Sequence, residues 1–295
     1  TAPTTHEDRY PTRGSAPPAI RPRRDPIVWG DDPGPLDPEL LATFEEVGYL
    51  VLPGLLPPTA VTSLRQELDR LCASDRVRDR PQAVVEPDGD ELRSLFQTHL
   101  EPGPLRQLAE DPALVGMARQ LLGDRVYIHQ SRVNLKPGLR GREFSWHSDL
   151  ETWHSEDGMP SMRAVSCSVL LTHNHTSNGP LLVIDGSHHW FVGCTGTTPP
   201  DNFRSSLRRQ TVGVPDDRAL EELVARGGIS ECTGPPGTVV LFDCNLMHGS
   251  NGNITPWPRH NVFIVYNSVE NSLGPPYAAS EPRPEFIATR AVRPL

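Results

Sequence analysis

Apolar side chains in the first 123 residues recur at every third or fourth position, which is the spacing of an amphipathic helix. The pattern predicts three helices, which lie between Asp37 and Gly48, across residues 61–71, and between Asp111 and Gly123. Asp37 and Asp111 each stand before a proline, an arrangement typical of a helix start, and glycine is common at a helix end. The charged, proline-bounded residues 74–90 are predicted to form a surface loop.

After Gly123 the hydrophobic period shortens to two, the spacing of a β-strand with one buried face. The pattern predicts strands over residues 126–136, 162–171, 180–184, 238–243 and 261–268, with one short helix over residues 216–226 among them. The 32 prolines and 24 glycines argue against a helical bundle. The predicted fold class is therefore mainly β with flanking helices, in which helices pack on a β-barrel or sandwich.

Composition sets the domain organisation and excludes several classes of protein. Residues 1–35 are rich in proline and arginine and are predicted to form an N-terminal arm, and residues 36–295 are predicted to form a single domain. With 36% apolar and 22% charged residues the chain is not a disordered tail, and no run approaches the roughly 20 apolar residues of a membrane span. The net charge of −9 argues against nucleic acid as a partner.

The cysteines and the N-terminus indicate an intracellular protein. The five cysteines include no C-x-x-C pair, which is typical of reduced thiols rather than of a disulfide framework or a zinc knuckle. No apolar signal-peptide region stands near the N-terminus, so a cytoplasmic location is expected.

A candidate metal site comes from His147 and Asp149, two positions apart, because such side chains point to the same side of a strand. His248, just after the predicted strand 238–243, is the candidate third ligand. Two histidines and one carboxylate form the facial triad of non-heme Fe(II) oxygenases, which leaves the opposite coordination positions open. The H-x-D spacing alone is weak evidence, because other histidines compete for the role: His154, His173, His175, His188, His189 and His260.

Arg259 makes this combination more specific. It stands eleven positions after His248, at the start of the last predicted strand, and a turn of that length is expected to bring this strand back beside the one before His248. A guanidinium grips a carboxylate through two parallel hydrogen bonds. The cosubstrate 2-oxoglutarate needs a metal for its keto-acid end and a fixed cation for its far carboxylate, so the sequence favours an Fe(II)/2-oxoglutarate enzyme.

Polar side chains also alternate along the predicted strand 126–136 and therefore share one face. They are Gln130, Arg132, Asn134 and Lys136. A solvated outer face is the ordinary explanation, but in a barrel with an internal site the same face lines the pocket. Lys136 is the only lysine among 28 basic residues, which favours the pocket.

At residues 144–154 the chain reads FSWHSDLETWH, followed by EDGMP at 156–160 and MRA at 162–164. This run resembles the signature of the ectoine hydroxylases, a branch of the phytanoyl-CoA-dioxygenase-like Fe(II)/2-oxoglutarate enzymes. Further similar motifs are FDCN at 242–245, MHGS at 247–250, NITP at 253–256, YNS at 266–268 and PRPEF at 282–286. The resemblance spans residues 25–290 and is densest from residue 127 onward.

The resemblance implies a double-stranded β-helix, or jelly-roll, core and a homodimer. It implies iron on His147, Asp149 and His248, and 2-oxoglutarate on Asn134, Lys136, Ser250 and Arg259. It implies ectoine contacts from Gln130, Thr152, Trp153, Phe242, Asn261 and Arg283. Trp153 is expected to stack on the delocalised cation of ectoine, and Arg283 to take its carboxylate.

The implied reaction is the hydroxylation of ectoine by O₂ to 5-hydroxyectoine, a compatible solute, with 2-oxoglutarate converted to succinate and CO₂. Asp149 favours hydroxylation over halogenation, because halogenases of this superfamily lack that carboxylate. The chain departs from the family pattern at Leu150, where an aromatic residue is expected, and at Asp185, where proline is expected. We expect Leu150 to affect packing rather than chemistry.

Two alternatives remain at this point. One is a related oxygenase that hydroxylates another cyclic amino acid such as proline, against which the Trp153 and Gln130 surroundings argue. The other is a non-catalytic barrel that keeps a metal for structure or binds a solute. A structural metal site usually fills all its positions with protein ligands, so three ligands together with Arg259 favour catalysis.

Overall fold

Two antiparallel β-sheets face each other in the computed structural model, which describes residues 8–14, 18–85 and 91–295. Within these residues the larger sheet has the order β2 (Tyr49–Leu52), β11 (Val239–Asp243), β7 (Ala164–Leu170), β13 (Arg259–Ser268), β5 (Val126–Lys136), β4 (Leu92–Phe96) and β3 (Ala83–Val85). The smaller sheet has the order β10 (Ile229–Cys232), β8 (Leu181–Ile184), β12 (His248–Ser250) and β6 (Phe144–His147). A separate pair joins β1 (Ala19–Pro22) to β9 (Trp190–Gly193).

Alternation along the strands sends side chains to two different layers. Phe242 of β11 and Phe263 of β13 pack with Leu181 of β8, between the two sheets. Leu241 and Ile264, next to those aromatic residues in the same strands, face the other side of the larger sheet and pack with the helices. Two facing antiparallel sheets of this kind form the double-stranded β-helix core that the family resemblance implies.

The helices among the described residues are α1 (Pro38–Val47), α2 (Pro58–Cys72), α3 (Asp75–Arg78), α4 (Pro104–Ala109), α5 (Pro112–Leu122), α6 (Asp149–Thr152), α7 (Phe203–Ser206) and α8 (Asp217–Gly227). Apolar residues of α1, α2 and α5, such as Phe44, Leu68 and Leu121, are buried in one core with the outer face of the larger sheet. A π-helical turn (Trp153–Asp157) continues α6. No helix in the described part of the chain is long and apolar enough to cross a membrane.

The predicted helix ends in the first third of the chain are confirmed. The Asp37 side chain accepts a hydrogen bond from the Leu40 backbone amide, and α1 ends at Gly48, whose φ of 88° favours glycine. The Asp111 side chain caps α5 in the same way, and Gly123 ends it with a φ of 58°. Local sequence alone specifies these two helices.

The predicted long strand over 126–136 is confirmed with its bounds, and the other predicted strands are found within three residues of their predicted ends. Several short strands, such as β2, β4 and β12, were not predicted, although β8 and β11, which are also short, were. The predicted surface loop over 74–90 is wrong in part, since α3 and β3 form there. Its residues 86–90 lie outside the described residues.

The described part of the predicted N-terminal arm packs on the body of the protein. β1 pairs with β9 from Ala19↔Gly193 to Pro22↔Trp190. Tyr10 is 1% exposed, and its hydroxyl donates a hydrogen bond of 2.8 Å to Oδ2 of Asp25. Residues 1–7 and 15–17, also covered by the arm prediction, lie outside the described residues.

Candidate metal and cosubstrate site

Three potential metal ligands meet at one end of the layer between the sheets. One ligand atom each of His147, Asp149 and His248 lies within 4.8 Å of the others. His147 ends β6 and His248 begins β12, and these two residues are register partners in the smaller sheet. Asp149 Oδ1 lies 3.5 Å from Nε2 of His147 and 3.9 Å from Nε2 of His248. The structure therefore brings together the three residues that the sequence analysis selected as metal ligands.

The strand geometry expected for His147 and Asp149 is wrong. β6 ends at His147, Ser148 is extended, and Asp149 is the first residue of α6. The chain turns between the two ligands instead of alternating across a strand. Asp149 still reaches the histidines because the α6 backbone is held beside β11 by a hydrogen bond of 2.8 Å from Leu150 N to Cys244 O.

Both histidine rings are oriented by the backbone. His147 Nδ1 lies 2.8 Å from the Ser145 carbonyl oxygen, and His248 Nδ1 lies 2.9 Å from the Leu246 carbonyl oxygen. A carbonyl accepts only from a protonated nitrogen, so each Nε2 keeps its lone pair for a metal. The two Nε2 atoms lie on the side of Asp149, as a shared ligand set requires.

The charge states also suit a metal site. Burial, and to a lesser extent the nearby His147, lower the pKa of His248 to about 4, so His248 is neutral at pH 7. Burial opposes ionisation of Asp149, but the neighbouring His248 and His147 outweigh it and hold the pKa of this carboxyl below its usual range. Two neutral imidazoles and one carboxylate are the donor set that a divalent iron site uses.

The predicted 2-oxoglutarate residues lie beside this triad, in one cavity between the sheets. Lys136 and Asn134 come from β5, Arg259 from β13 and Ser250 from β12. Lys136 Nζ donates a hydrogen bond of 2.9 Å to Ser250 Oγ and another to the Asn251 carbonyl oxygen, which joins the two sheets at the cavity. The polar face of strand 126–136 therefore lines the pocket from Arg132 to Lys136, as predicted.

Arg259 is 3% exposed and faces the cavity. Its Nη2 donates to Oδ1 of Asn134 at 2.9 Å, and its Nε has no hydrogen-bond partner among the described residues. Burial and the nearby Arg132 and Arg93 lower the pKa of Arg259 to about 10, which leaves it charged at pH 7. A buried guanidinium with an unused donor is suited to a carboxylate ligand.

The strand argument that placed Arg259 needs correction. β13 does not lie directly beside β11, the strand before His248, because β7 lies between them in the larger sheet. His248 itself begins β12 in the smaller sheet, so Arg259 reaches the site from the opposite sheet, across the cavity. The connection from β12 to β13 crosses between the sheets instead of forming a hairpin.

Three further arginines line the cavity: Arg93, Arg132 and Arg142. The sequence analysis placed Arg132 on the pocket-lining face of strand 126–136 but assigned it no ligand, and it did not single out Arg93 or Arg142. Arg132 is a charged neighbour of Asp149 and lies over the ring of Phe263, with its Cζ atom 5.2 Å from the ring centroid. Its place in the alternation of strand 126–136 was a usable signal, whereas Arg93 comes from β4, which the hydrophobic pattern did not predict.

Of the predicted ectoine residues, Phe242 lies beside the triad, and Asn261 has an unused hydrogen-bond acceptor. The ring centroid of Phe242 lies 5.1 Å from that of His248. Asn261 is buried on β13, donates to Ser168 Oγ at 3.3 Å, and leaves its side-chain oxygen without a partner among the described residues. A buried, unpaired amide oxygen offers an acceptor to a ligand.

The other four predicted ectoine residues are held by protein groups. Gln130 Nε2 donates to the Ile287 carbonyl oxygen at 2.9 Å, and Thr152 Oγ1 accepts from Arg13 and Gln210. Trp153 is 3% exposed and packs in an apolar cluster with Leu150. None of the six predicted ectoine residues is among the residues that line the metal and cosubstrate cavity in the described chain.

Arg283 is buried rather than exposed, and its partner is neither of the acidic residues beside it in sequence. Its Nε and Nη2 donate to the two carboxylate oxygens of Asp157 at 2.8 and 2.5 Å. Asp157 ends the π-helical turn, and its Oδ2 also lies 3.6 Å from Nε2 of His129, the residue at the bulge in β5. Arg283 therefore fixes the turn that carries Trp153.

The two departures from the family pattern have structural consequences. Leu150 is fully buried and packs with Trp153, Met159 and Met162, as expected for a packing position. Asp185 Oδ2 accepts a hydrogen bond of 2.8 Å from Ser230 Oγ of β10, so this carboxylate is held by the edge strand of the smaller sheet.

Comparison with known proteins is consistent with this geometry. The model of the phytanoyl-CoA dioxygenase (PhyH) family matches residues 44–261. The ectoine dioxygenase of Bordetella bronchiseptica is 50% identical over 98% of this chain and 96% of its own length, and that of Sphingopyxis alaskensis is 51% identical over 96% and 94%.

Two solved structures share the fold over nearly the whole chain. EctD from S. alaskensis, with 2-oxoglutarate and 5-hydroxyectoine, matches with a TM-score of 0.88 at 48% identity and covers 96% of this chain and 95% of its own. The same protein with bound Fe matches with a TM-score of 0.87 at 47% identity, over 97% and 95%. The chain therefore belongs to the phytanoyl-CoA dioxygenase family, as an Fe(II)- and 2-oxoglutarate-dependent ectoine dioxygenase.

Proposed function

We propose that the cavity between the two sheets hydroxylates ectoine to 5-hydroxyectoine, with iron held by His147, Asp149 and His248. The observation that carries this proposal is that the three ligand atoms lie within 4.8 Å of one another, and that two of these residues, His147 and His248, line one cavity together with the buried Arg259. The related EctD structure was solved with 2-oxoglutarate and 5-hydroxyectoine, which supports the same pair of ligands here.

The residues present fit an iron centre. Both histidines direct Nε2 toward Asp149, and His248 is neutral at pH 7 because burial lowers its pKa to about 4. Three protein ligands leave coordination positions for other groups. Bound Fe(II) with 2-oxoglutarate and O₂ supplies the oxidative decarboxylation that gives succinate and CO₂, and the oxidising equivalent that hydroxylates an unactivated C–H bond.

The protein's part in the cosubstrate step is binding and orientation. Arg259 offers its Nε to the far carboxylate of 2-oxoglutarate, and its neighbour Asn134 fixes the plane of the guanidinium. Lys136 and Ser250 hold each other across the cavity and place a cation and a hydroxyl there. A charged carboxylate in a buried site needs such partners, because burial alone would disfavour its ionised form.

Ectoine recognition rests on the side of the cavity near Phe242 and Asn261 and on the buried α6 segment. The unpaired oxygen of Asn261 accepts from a ring nitrogen of ectoine, and Trp153 offers an aromatic face to the delocalised cation. Gln130, Thr152 and Arg283 complete the proposed set. In this set Gln130 and Arg283 use part of their donor capacity to hold the C-terminal segment and Asp157.

The organisation around this site is also proposed. Residues 36–295 form the catalytic domain, residues 1–35 form an arm whose described part packs on it, and two copies form a homodimer in the cytoplasm. The five cysteines, which are all free, support a reducing compartment. Light scattering that gives the mass of a single 32.5 kDa chain at micromolar concentration would contradict the dimer.

The substrate assignment is tested against L-proline, another small cyclic zwitterion. Both compounds are supplied at equal concentration with Fe(II), 2-oxoglutarate and O₂, and the hydroxylated products are quantified by mass spectrometry. Hydroxyectoine should dominate, because a flat delocalised cation gains more from an aromatic face than a localised ammonium does. Proline turnover equal to or above that of ectoine would overturn the substrate and leave the oxygenase chemistry in place.

A further inference from the structure

The segment that presents Asp149, Thr152 and Trp153 is buried over most of its length and carries two buried glutamates. Glu151 is 1% exposed and Glu156 is 2% exposed. Two carboxylates that are buried away from water need a cationic partner, because an unpaired buried charge is strongly destabilising. Their partner comes from far away in sequence, in the N-terminal arm.

Arg13 forms ion pairs with both glutamates. Its Nε and Nη2 donate to Oε1 and Oε2 of Glu151 at 2.8 and 2.7 Å, which is the bidentate fork arrangement. Its Nη1 donates to Oε1 of Glu156 at 2.5 Å. The guanidinium is fully buried and spans one turn of the segment, so it fixes the rotation of α6 and of the π-helical turn together.

Arg13 also acts on Thr152, a residue of the proposed ectoine site. Arg13 Nη2 lies 3.3 Å from Thr152 Oγ1 and donates to it, and Gln210 Nε2 donates to the same oxygen at 3.2 Å. A hydroxyl group can accept two hydrogen bonds and donate one. With both acceptor positions used, the Thr152 hydroxyl can only donate to a third group, which must be an acceptor such as a carboxylate.

The backbone around the ion pairs is adapted to them. Arg13 has a φ of 53°, in the left-handed region that residues with a side chain rarely adopt. Gly213, with a φ of 74°, lies against the pair so closely that a Cβ atom there would collide with Glu151 Oε2 and with Arg13 Nη2. A strained residue persists where surrounding contacts determine it, often beside a functional site.

We propose that Arg13 is a positioning residue for the hydroxylation: it sets the rotation of the segment 149–157 and makes the Thr152 hydroxyl a hydrogen-bond donor to the carboxylate of ectoine. This inference rests on the proposed function and assigns a role within it to the arm. Arg13 touches neither the metal ligands nor the cosubstrate residues, so its loss affects ectoine placement while 2-oxoglutarate binding persists.

The test is Arg13→Lys, which keeps the charge but cannot bridge two carboxylates with a fork. The purified full chain is assayed for succinate and hydroxyectoine together, with KM for ectoine and for 2-oxoglutarate and with the unfolding temperature. We expect the succinate-to-hydroxyectoine ratio to rise at least about twofold and KM for ectoine about fivefold, with KM for 2-oxoglutarate within about twofold of wild type.

A matched control is Arg23→Lys, which weakens a comparably buried ion pair from the same arm. Arg23 donates to Asp243 Oδ1 at 2.8 Å, with both side chains 4% exposed, and makes no contact with Glu151, Thr152 or Glu156. We expect this variant to unfold at a lower temperature than wild type and to keep the wild-type ratio of succinate to hydroxyectoine. The ratio does not depend on the fraction of folded enzyme, so it separates positioning from stability.

The outcomes are distinct. Arg13→Lys with a lowered unfolding temperature but a wild-type ratio and ectoine KM would overturn the positioning role alone. Wild-type protein that forms no hydroxyectoine would overturn both this role and the proposed function. If Arg13→Lys does not fold, Glu156→Gln replaces it in the test, because this change removes one charge of the cluster at constant shape. Glu156→Gln should also raise the succinate-to-hydroxyectoine ratio. An unchanged ratio in Glu156→Gln also overturns the positioning role of Arg13.

Discussion

Arg259 on β13 and Asn134 on β5 are joined across neighbouring strands by a hydrogen bond of 2.9 Å from Nη2 to Oδ1. The amide holds one edge of the guanidinium, while the buried Nε is without a partner in the described part of the chain. This pair creates a fixed, directional cation inside the cavity. Such a cation is suited to the far carboxylate of 2-oxoglutarate, the role proposed for Arg259.

Arg259→Lys keeps a positive charge but loses the fork. We expect KM for 2-oxoglutarate to rise about tenfold or more, a change of about 1.4 kcal/mol, while KM for ectoine changes less than about threefold. Steady-state kinetics with each substrate varied in turn measures both. Arg70→Lys, an exposed arginine of α2, is the control and should behave as wild type. An unchanged dependence on 2-oxoglutarate would place the anchor elsewhere, with Lys136 the next candidate.

Asp149→Ala should abolish turnover and iron retention while the protein stays folded. One ligand of three is lost, and the two histidines that remain do not define a facial site. Iron content after desalting and succinate release measure the effect, and circular dichroism checks the fold. Asp31→Ala, at an exposed position, is the control. Full activity in iron-loaded Asp149→Ala protein would contradict the ligand assignment.

Trp153→Phe should damage ectoine hydroxylation more than it damages 2-oxoglutarate decarboxylation without ectoine. The smaller ring keeps most of the buried packing with Leu150 but offers a weaker face to a delocalised cation. Parallel assays of hydroxyectoine and of succinate formed in the absence of ectoine give the comparison. Trp257→Phe, 60% exposed, should change neither rate. Equal losses in the two Trp153→Phe assays would show that Trp153 acts only through packing.

The acid sensitivity of the fold should depend on His188. The pKa of His188 is lowered from an ordinary value of 6.5 to about 4, mainly because the ring is buried. Between these values the unfolded chain binds a proton that the folded chain does not, so stability falls as the pH falls from 6.5 to 4, by at most about 1.4 kcal/mol per pH unit. Above pH 6.5 the group contributes no pH dependence.

Urea unfolding at several pH values measures this slope. His188→Gln should flatten the fall in unfolding free energy between pH 6.5 and 4, whatever its effect at pH 7, because the group that titrates is removed. His189→Gln, which replaces the exposed neighbour, should keep the wild-type slope. Equal slopes in wild type and His188→Gln would show that the acid sensitivity arises elsewhere.

The residues of the candidate metal and cosubstrate site could be selected from the sequence because residue type and spacing indicate their chemistry. His147, Asp149, His248 and Arg259 were selected from residue type and spacing, and the alternation of strand 126–136 correctly placed Asn134 and Lys136 on the cavity side. Helix caps such as Asp37 could also be predicted from the sequence, because capping involves only neighbours in the chain.

The supporting contacts could not be predicted, because they join residues distant in sequence. Arg13 and Glu151 are 138 positions apart, and no periodic pattern links the arm to α6. The segment 149–157 is largely buried although it carries several acidic residues. Arg13 neutralises Glu151 and Glu156, and Arg283 neutralises Asp157. A contact between distant residues also explains why His147 and Asp149 do not lie on one strand, as the H-x-D spacing had predicted. The chain turns at Ser148 because the segment that follows packs against β11.

The most direct test of the central claim is the stoichiometry of the reaction. Purified protein is incubated with Fe(II), 2-oxoglutarate, O₂ and ectoine, and hydroxyectoine and succinate are measured in the same samples by mass spectrometry, with Asp149→Ala as the paired control. The account predicts 5-hydroxyectoine and succinate in equal amounts, both dependent on Fe(II) and on 2-oxoglutarate and both absent from Asp149→Ala. Ectoine recovered unchanged from active, iron-loaded wild-type protein that consumes 2-oxoglutarate would contradict it.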